Sequence, residues 1–172
     1  MRKLCVLWLL LLSGYSVADQ VVLIDKHNHQ HVIGRITINA QQDYTLHIDH
    51  SQFKDFFLSM KEMKCLEGPE LWCHIPYPYP KQVSVKQDYR WLSQDLLFMY
   101  KKQGQFGAKM WQGVYYRIQN TEHGLRGTAY AVDLNDLASE PDNTDMPFYE
   151  EAELEQLNQD ERWLPWLAIV PD

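Results

Sequence analysis

The segment WQGVYYRIQNTEHGLRGTAYAVDLN, from Trp111 to Asn135, carries the clearest secondary-structure signal in the chain. Two runs rich in β-branched and aromatic residues flank a polar stretch, Asn120–Gly124, which is a pattern typical of a β-hairpin. Gly113 and Gly127 lie within the runs, where glycine often marks a bulge or a bend. The segment therefore predicts a hairpin in a strongly curved antiparallel sheet.

The N-terminal half of the chain extends the β prediction. Alternating apolar residues predict three strands that form a meander, in DQVVLIDK (19–26), HVIGRITIN (31–39) and DYTLHID (43–49). Two later segments, KQVSVKQ (81–87) and LLFMYKK (96–102), are further strand candidates, although WLSQDLLFMY also has the apolar run of a helix.

After Asp49 the apolar residues recur at steps of three and four, which predicts a short amphipathic helix capped by Asp49 or Ser51. The apolar stripe of this helix consists of Phe53, Phe56, Phe57 and Met60. The predicted fold is therefore mainly β (α+β), a curved antiparallel sheet or small open barrel with one or two short helices.

The C-terminal region has an acidic part and an apolar part. Residues 140–161 include nine acidic side chains and no basic one, which predicts a solvated loop followed by a helix that starts near Pro147. The final segment, WLPWLAIVPD (163–172), is too apolar for a free tail, and we expect it to dock as a strap or edge strand that completes the core.

The first eighteen residues have the pattern of a cleaved signal peptide. Arg2 and Lys3 precede an apolar run, and Ser16-Val17-Ala18 resembles a cleavage site. We expect residues 19–172 to form a single globular domain that is periplasmic or secreted and has no stable membrane anchor. Without Arg2 and Lys3, 14 Lys and Arg oppose 23 Asp and Glu, so the formal charge is −9. This excess of negative charge disfavours nucleic acid and anionic membrane surfaces as partners.

Two cysteines remain in the predicted mature chain, Cys65 and Cys73, in KCLEGPELWCHIPYPYP. An oxidising compartment favours a disulfide between them. A zinc site normally needs closer cysteine spacing and a second ligand pair, and a thioredoxin-like site needs Cys-x-x-Cys, so neither pattern fits. The disulfide is the preferred interpretation.

The second half of this segment alternates proline with tyrosine, which predicts an extended strap at residues 75–80. The strap either packs its tyrosines on the sheet or presents them as an exposed aromatic ledge for a ligand. The candidate surface for a ligand or partner protein combines strap and hairpin residues: Tyr77, Tyr79, Trp111, Tyr115 and Tyr130.

The CLEG and PYPY elements of this segment resemble those of small exported bacterial proteins of unassigned function. The resemblance covers this segment and residues 111–134. It implies export and no particular activity.

Histidines supply the candidate metal ligands. His27, His29 and His31 alternate, so in an extended strand the three imidazoles would project from one face and would suit zinc or copper. The competing interpretation is a polar turn between two strands, which would destroy the alternation. A cofactor is otherwise not indicated.

Catalytic motifs do not stand out in the sequence. Gly-x-Ser-x-Gly, His-Glu-x-x-His and glycine-rich phosphate loops are absent from the chain. Asp95 and Asp133 lie in apolar contexts that are able to shift a carboxyl pKa, but the sequence does not pair them with other groups. The sequence thus favours a non-catalytic periplasmic binding or accessory protein, whose partner is an envelope protein or a small apolar or sugar-like ligand. The alternative is a histidine-based metal-binding or metal-dependent protein.

Overall fold

The structure, a computed structural model, describes residues 18–172. Within that range it contains one short helix, α1 (Arg90–Asp95), three 3-10 turns and eleven strands. The strands are β1 (Asp19–Ile24), β2 (Gln30–Ile38), β3 (Tyr44–Ile48), β4 (Lys54–Phe57), β5 (Glu62–Glu67), β6 (Glu70–His74), β7 (Phe98–Lys102), β8 (Gly113–Thr121), β9 (Gly124–Val132), β10 (Glu155–Gln156) and β11 (Trp166–Val170). The predicted signal peptide lies outside the described residues, except for Ala18.

All the strands belong to one antiparallel sheet with the order β3-β2-β1-β11-β9-β8-β7-β6-β5-β4, and the two-residue β10 lies beside β9. The prediction of a mainly β fold built on an antiparallel sheet is confirmed. In residues 18–172 no ladder joins the edge strands β3 and β4, so the sheet is not closed into a barrel.

The connection between the two edge strands requires the sheet to curve strongly. In a flat sheet, nine inter-strand spacings of about 4.8 Å would separate β3 from β4 by about 43 Å. The connection at residues 49–53 reaches about 20 Å when extended. It contains a 3-10 turn, His50–Gln52, in which Asp49 accepts a hydrogen bond from the Ser51 backbone N–H. Because the link is so short, the two edges must approach each other.

The curved sheet buries apolar side chains on both faces. On β8 the alternation is direct: Val114 and Tyr116 belong to the larger inner core, whereas Tyr115 belongs to a second cluster on the opposite face. Trp72 anchors the inner core, where its indole N–H donates to the Tyr116 hydroxyl at 3.1 Å. Loops and the strap cover the second cluster, so this half of the sheet is buried on both sides.

The β8–β9 hairpin forms as predicted, with a turn that is shorter than the polar stretch suggested. Thr121 pairs with Gly124, whose φ of 96° favours glycine in this tight turn. At Gly113 and Gly127 neighbouring atoms approach the backbone closely. Neither glycine marks a bulge, since the register of the β8–β9 ladder is continuous. A Cβ at Gly113 would lie 2.5 Å from the carbonyl oxygen of Val132.

The prediction of a helix after Asp49 is wrong. The chain forms β4, which pairs with β5 from Lys54–Cys65 to Phe57–Glu62. Phe57 and Met60 are exposed, so the helical spacing of the four apolar residues does not define a buried face. Pairing with a neighbouring strand overrides the local pattern.

Three other segments differ in detail. WLSQDLLFMY contains both predicted elements, α1 and then β7. Residues 81–87 contribute a single bridge, Ser84 to Asp43, instead of a strand. The acidic region contains a 3-10 turn at Glu151–Glu153 and the two-residue strand β10 instead of the predicted helix, and β11 is a central strand between β1 and β9 instead of an edge strand.

Candidate functional site

A cleft of about 550 Å³ lies beside the hairpin that carries the cysteines. Four parts of the chain form its walls: the β4–β5 hairpin, the strap at residues 75–78, the loop at residues 108–110 and the 3-10 turn at Leu134–Ala138. The side chains that line it are largely apolar and include Met63, Ile75, Pro76, Pro78, Met110 and Leu137. Its size and lining are typical of a site for a small molecule.

The strap forms one wall of the cleft because it is fixed at both ends. The Ile75 backbone N–H donates to the Leu97 carbonyl at 2.9 Å, and the Tyr79 hydroxyl donates to the Leu137 carbonyl at 2.7 Å. Tyr77 is buried in the second cluster, and its ring meets that of Tyr79 edge-on. The tyrosines thus anchor the strap, and Pro76 and Pro78 line the cleft.

The disulfide holds the strands that lead into the cleft. Cys65 on β5 and Cys73 on β6 are directly opposite each other in the ladder, and they form the predicted bond. Both cysteines are fully buried in the second cluster. Met63 and His74, which line the cleft, lie within two residues of them.

His74 is the polar group that is best placed to define a ligand's orientation. Burial lowers its pKa to about 4, with a smaller contribution from His50 and Lys81, so the imidazole is neutral at pH 7. Its Nε2 lies 3.0 Å from the Asp95 carbonyl oxygen, which only accepts, so Nε2 carries the proton. Nδ1 therefore has a free lone pair. It is buried and has no hydrogen-bond partner among residues 18–172.

His50 lies beside His74 at the same end of the cleft. Their ring centroids are 5.9 Å apart, and the His50 ring also meets Phe53 edge-on at 5.4 Å. His50 comes from the connection between the two sheet edges, whereas His74 ends β6. The curvature of the sheet brings them together.

Asp95 stabilises the framework behind His74. Its carboxylate accepts a hydrogen bond from the Tyr44 hydroxyl at 2.7 Å and forms an ion pair with Lys81. These contacts join α1 to β3 and to the residues that follow the strap. Burial also lowers the pKa of Lys81 and raises that of Tyr44. Of the two carboxylates singled out in the sequence, Asp95 thus serves as an ion-pairing group in the core.

The buried imidazole predicts a specific pH dependence of stability. The pKa of His74 is near 4 when folded and about 6.5 when unfolded, so the unfolded chain binds the proton more tightly. Stability is complete above pH 6.5 and declines as the pH falls towards 4. Between pH 7.5 and pH 5 this residue is expected to lower the free energy of unfolding by about 2 kcal/mol.

Urea denaturation of the wild type and of His74→Gln at both pH values measures this effect. The variant should lose about 2 kcal/mol less than the wild type between pH 7.5 and pH 5. His123→Gln, at an exposed turn, should leave the wild-type pH dependence unchanged. Equal losses in the wild type and His74→Gln would contradict the assignment.

The five aromatic residues predicted as one ligand surface are dispersed. Tyr77 and Tyr115 are buried, and the Tyr115 hydroxyl donates to Glu151 at 3.1 Å. Tyr130 is half-buried and lies under the Arg117 guanidinium, while Trp111 is exposed and lies under Lys109. Tyr79 supports the strap. An exposed aromatic surface made of all five is therefore not present, because the strap packs its rings against the sheet.

The three candidate metal-binding histidines do not converge. His27 and His29 lie in a turn around Asp25, whose carboxylate accepts both of their backbone N–H groups at 2.8 Å. His31 lies on β2, where its ring meets Trp163 edge-on at 5.3 Å. The turn destroys the alternation that the prediction required. Among residues 18–172 there is no group of three or more His, Cys, Asp or Glu side chains able to hold a metal ion.

No protein-family model, curated protein or solved structure matches this chain. We therefore infer the roles of the residues from the chemistry of the cleft. His50 and His74 were not predicted as site residues, because a single histidine beside a cysteine or in a loop has no metal-binding or catalytic spacing. The only local indication in the sequence was the apolar segment around Asp95. The backbone carbonyl of Asp95 accepts the hydrogen bond that fixes the tautomer of His74.

The disulfide is the feature of the structure that bears on the compartment. The Cys65–Cys73 disulfide is compatible with an oxidising, exported environment. None of the helices within residues 18–172 has the length and apolarity needed to cross a bilayer.

Proposed function

We propose that this protein is an exported, non-catalytic binding protein that holds a small and largely apolar ligand in the cleft beneath the strap. The observation that carries the proposal is the apolar cleft lined by His74, whose Nδ1 lone pair is buried and has no hydrogen-bond partner among residues 18–172. A buried acceptor without a partner costs free energy, and a ligand that donates a hydrogen bond would remove that cost.

The chemistry of the cleft defines the class of ligand. The apolar lining favours a hydrocarbon or aromatic body, and the neutral imidazole favours one hydroxyl or N–H donor on it. The exposed surface of the lining is mainly apolar, whereas a sugar needs many hydrogen bonds. Lys64 is paired with Asp55, and Glu62 also lines the cleft, so Lys61 is the residue that would contact an anionic group on the ligand. An amphipathic molecule with one donor group therefore fits better than a saccharide.

Fluorescence titration with N-phenyl-1-naphthylamine tests the proposal, because this probe is apolar and carries one N–H donor. The wild type is expected to bind it with a micromolar dissociation constant. Ala108→Phe, which fills the cleft, is expected to weaken binding at least about tenfold, the amount corresponding to about 1.4 kcal/mol. The matched control is Ala40→Phe, at an exposed turn that does not line the cleft, and it should bind like the wild type.

A separate variant tests the proposed hydrogen bond between the ligand and His74. His74→Phe keeps an aromatic ring but removes the acceptor, so we expect it to weaken binding of the N–H probe about threefold to tenfold. Circular dichroism of each variant verifies that it is folded. Absence of probe binding by the folded wild type, or equal affinity of Ala108→Phe and Ala40→Phe, would overturn the proposal.

A further inference from the structure

Three large apolar side chains are almost fully exposed where two connections of the sheet meet. Phe57 is 76% exposed, and Met60 and Phe106 are each 95% exposed. Phe57 ends β4, and Met60 lies in the β4–β5 turn at residues 58–61. Phe106 lies in the β7–β8 connection at residues 103–112. The two connections border one shallow depression. We call Phe57, Met60 and Phe106 the apolar tip.

The loop that presents Phe106 is held in place by a buried lysine. Lys101 is 1% exposed, and its ammonium group donates to the backbone carbonyls of Gln105 and Gly107. The Ala108 N–H also donates to the Leu58 carbonyl at 2.8 Å, which joins the two connections. The apolar tip is therefore a fixed feature of the fold and not a pair of independent loops.

The charge around the apolar tip is opposite to that of the rest of the chain. Neither connection contains a carboxylate, while Lys61, Lys102 and Lys109 lie in them or at their border, where Glu62 lies opposite Phe57. The other nearby lysines, Lys54 and Lys64, are paired with Glu67 and Asp55. These three lysines, which we call the basic collar, thus outnumber the bordering Glu62 in a protein whose predicted mature charge is −9, from 14 basic and 23 acidic residues.

We propose that the apolar tip docks into the surface of an anionic lipid bilayer, with the three lysines at the level of the headgroups. Exposed apolar side chains next to lysines are the composition of segments that lie in a membrane interface. Trp111 stands beside the same collar and is 58% exposed, and tryptophan favours this depth.

The overall negative charge does not prevent this contact. The Debye length is about 8 Å at physiological ionic strength, so a bilayer at the tip senses mainly the charges of the collar. Binding should be weak and reversible, since only a few side chains enter the interface. The prediction that anionic membranes are poor partners considered the net charge alone, whereas the two connections at the tip have a local excess of lysines.

A protein partner fits the apolar tip less well. Three side chains of this type offer on the order of 500 Å² of apolar surface, which is below the area of about 800 Å² per partner in a stable interface. A bilayer needs no complementary pocket. The cleft shares Ser59 and Lys61 with the depression at the tip, so docking would place its mouth near the lipid.

Flotation with lipid vesicles tests the inference on the mature protein. The wild type is expected to float with vesicles that contain about one third phosphatidylglycerol and to float much less with pure phosphatidylcholine. Phe106→Ser should lower the partition coefficient about tenfold. The triple variant Lys61→Gln, Lys102→Gln, Lys109→Gln should lower it about a hundredfold on the anionic vesicles and barely on phosphatidylcholine.

Met146→Ser is the matched control, because Met146 is 51% exposed but lies in the acidic region. It should float like the wild type. Failure of the wild type to float, or equal flotation of Phe106→Ser and Met146→Ser, would overturn the inference. A concentration-dependent dimer that Phe106→Ser abolishes, without vesicle binding, would instead assign the tip to a second copy of the chain. The cleft proposal is tested separately, since Phe106 does not line the cleft.

Discussion

Asp95→Ala is expected to lower the free energy of unfolding by about 3–5 kcal/mol, the largest effect that we predict for a single substitution. The Asp95 side chain is 9% exposed and neutralises Lys81, whose side chain is 23% exposed. It also accepts the hydrogen bond of the Tyr44 hydroxyl, which is buried. Removing the carboxylate leaves an ammonium group and a hydroxyl without a partner, and both have little access to water.

Urea denaturation measures this loss, and two further variants identify its cause. Asp55→Ala breaks an ion pair with Lys64 in which both side chains are more than 40% exposed, so it should cost about 0–1 kcal/mol. Adding Lys81→Met to Asp95→Ala removes the unpaired charge and should restore a large part of the stability. The assignment fails if Asp95→Ala costs no more than Asp55→Ala.

Replacing both cysteines, Cys65→Ala with Cys73→Ala, is expected to cost about 2–3 kcal/mol of stability. The disulfide spans a sequence separation of eight residues, and it acts mainly by restricting the unfolded chain. The midpoint of thermal unfolding should fall by about 5–10 °C for a domain of this size.

Calorimetry of the double variant and of the wild type, with and without reductant, measures the contribution of the disulfide. Reduced wild type should unfold near the temperature of the double variant, because both lack the constraint. Reductant should leave the double variant unchanged. Identical unfolding of oxidised and reduced wild type would show that the bond adds no stability. The probe-binding experiment on the same double variant would then measure whether the bond keeps the cleft in shape.

Local patterns were sufficient for some elements and misleading for others. The β8–β9 hairpin was predictable, because both runs alternate and the turn between them contains a glycine. The segment around Phe56 was not, because its helical spacing is overridden when β4 pairs with β5. Pairing energy arises from contacts with another strand, and no local window of sequence contains it.

The position of the last strand is a second case of this kind. Its apolar composition indicated burial, and Leu167, Ala168 and Ile169 are indeed buried. Its place between β1 and β9 depends on pairing with two strands that are distant in sequence. Leu167 and Ile169 belong to the inner core and Ala168 to a separate cluster with Val22 and Ile24, so both faces of the strand are covered, which explains its continuous apolar run.

The sequence by itself determined the β-rich class, the central hairpin and the pairing of Cys65 with Cys73, because each depends on neighbours along the chain and on the composition. Only the tertiary structure decided the functional candidates. Curvature of the sheet brings His50 to His74, and α1 carries Asp95 to Tyr44 across 51 residues of sequence. The apolar tip arises in the same way, since two connections distant in sequence meet through one backbone hydrogen bond. Sites formed by long-range contacts of this kind have no periodicity or spacing that a sequence pattern reveals.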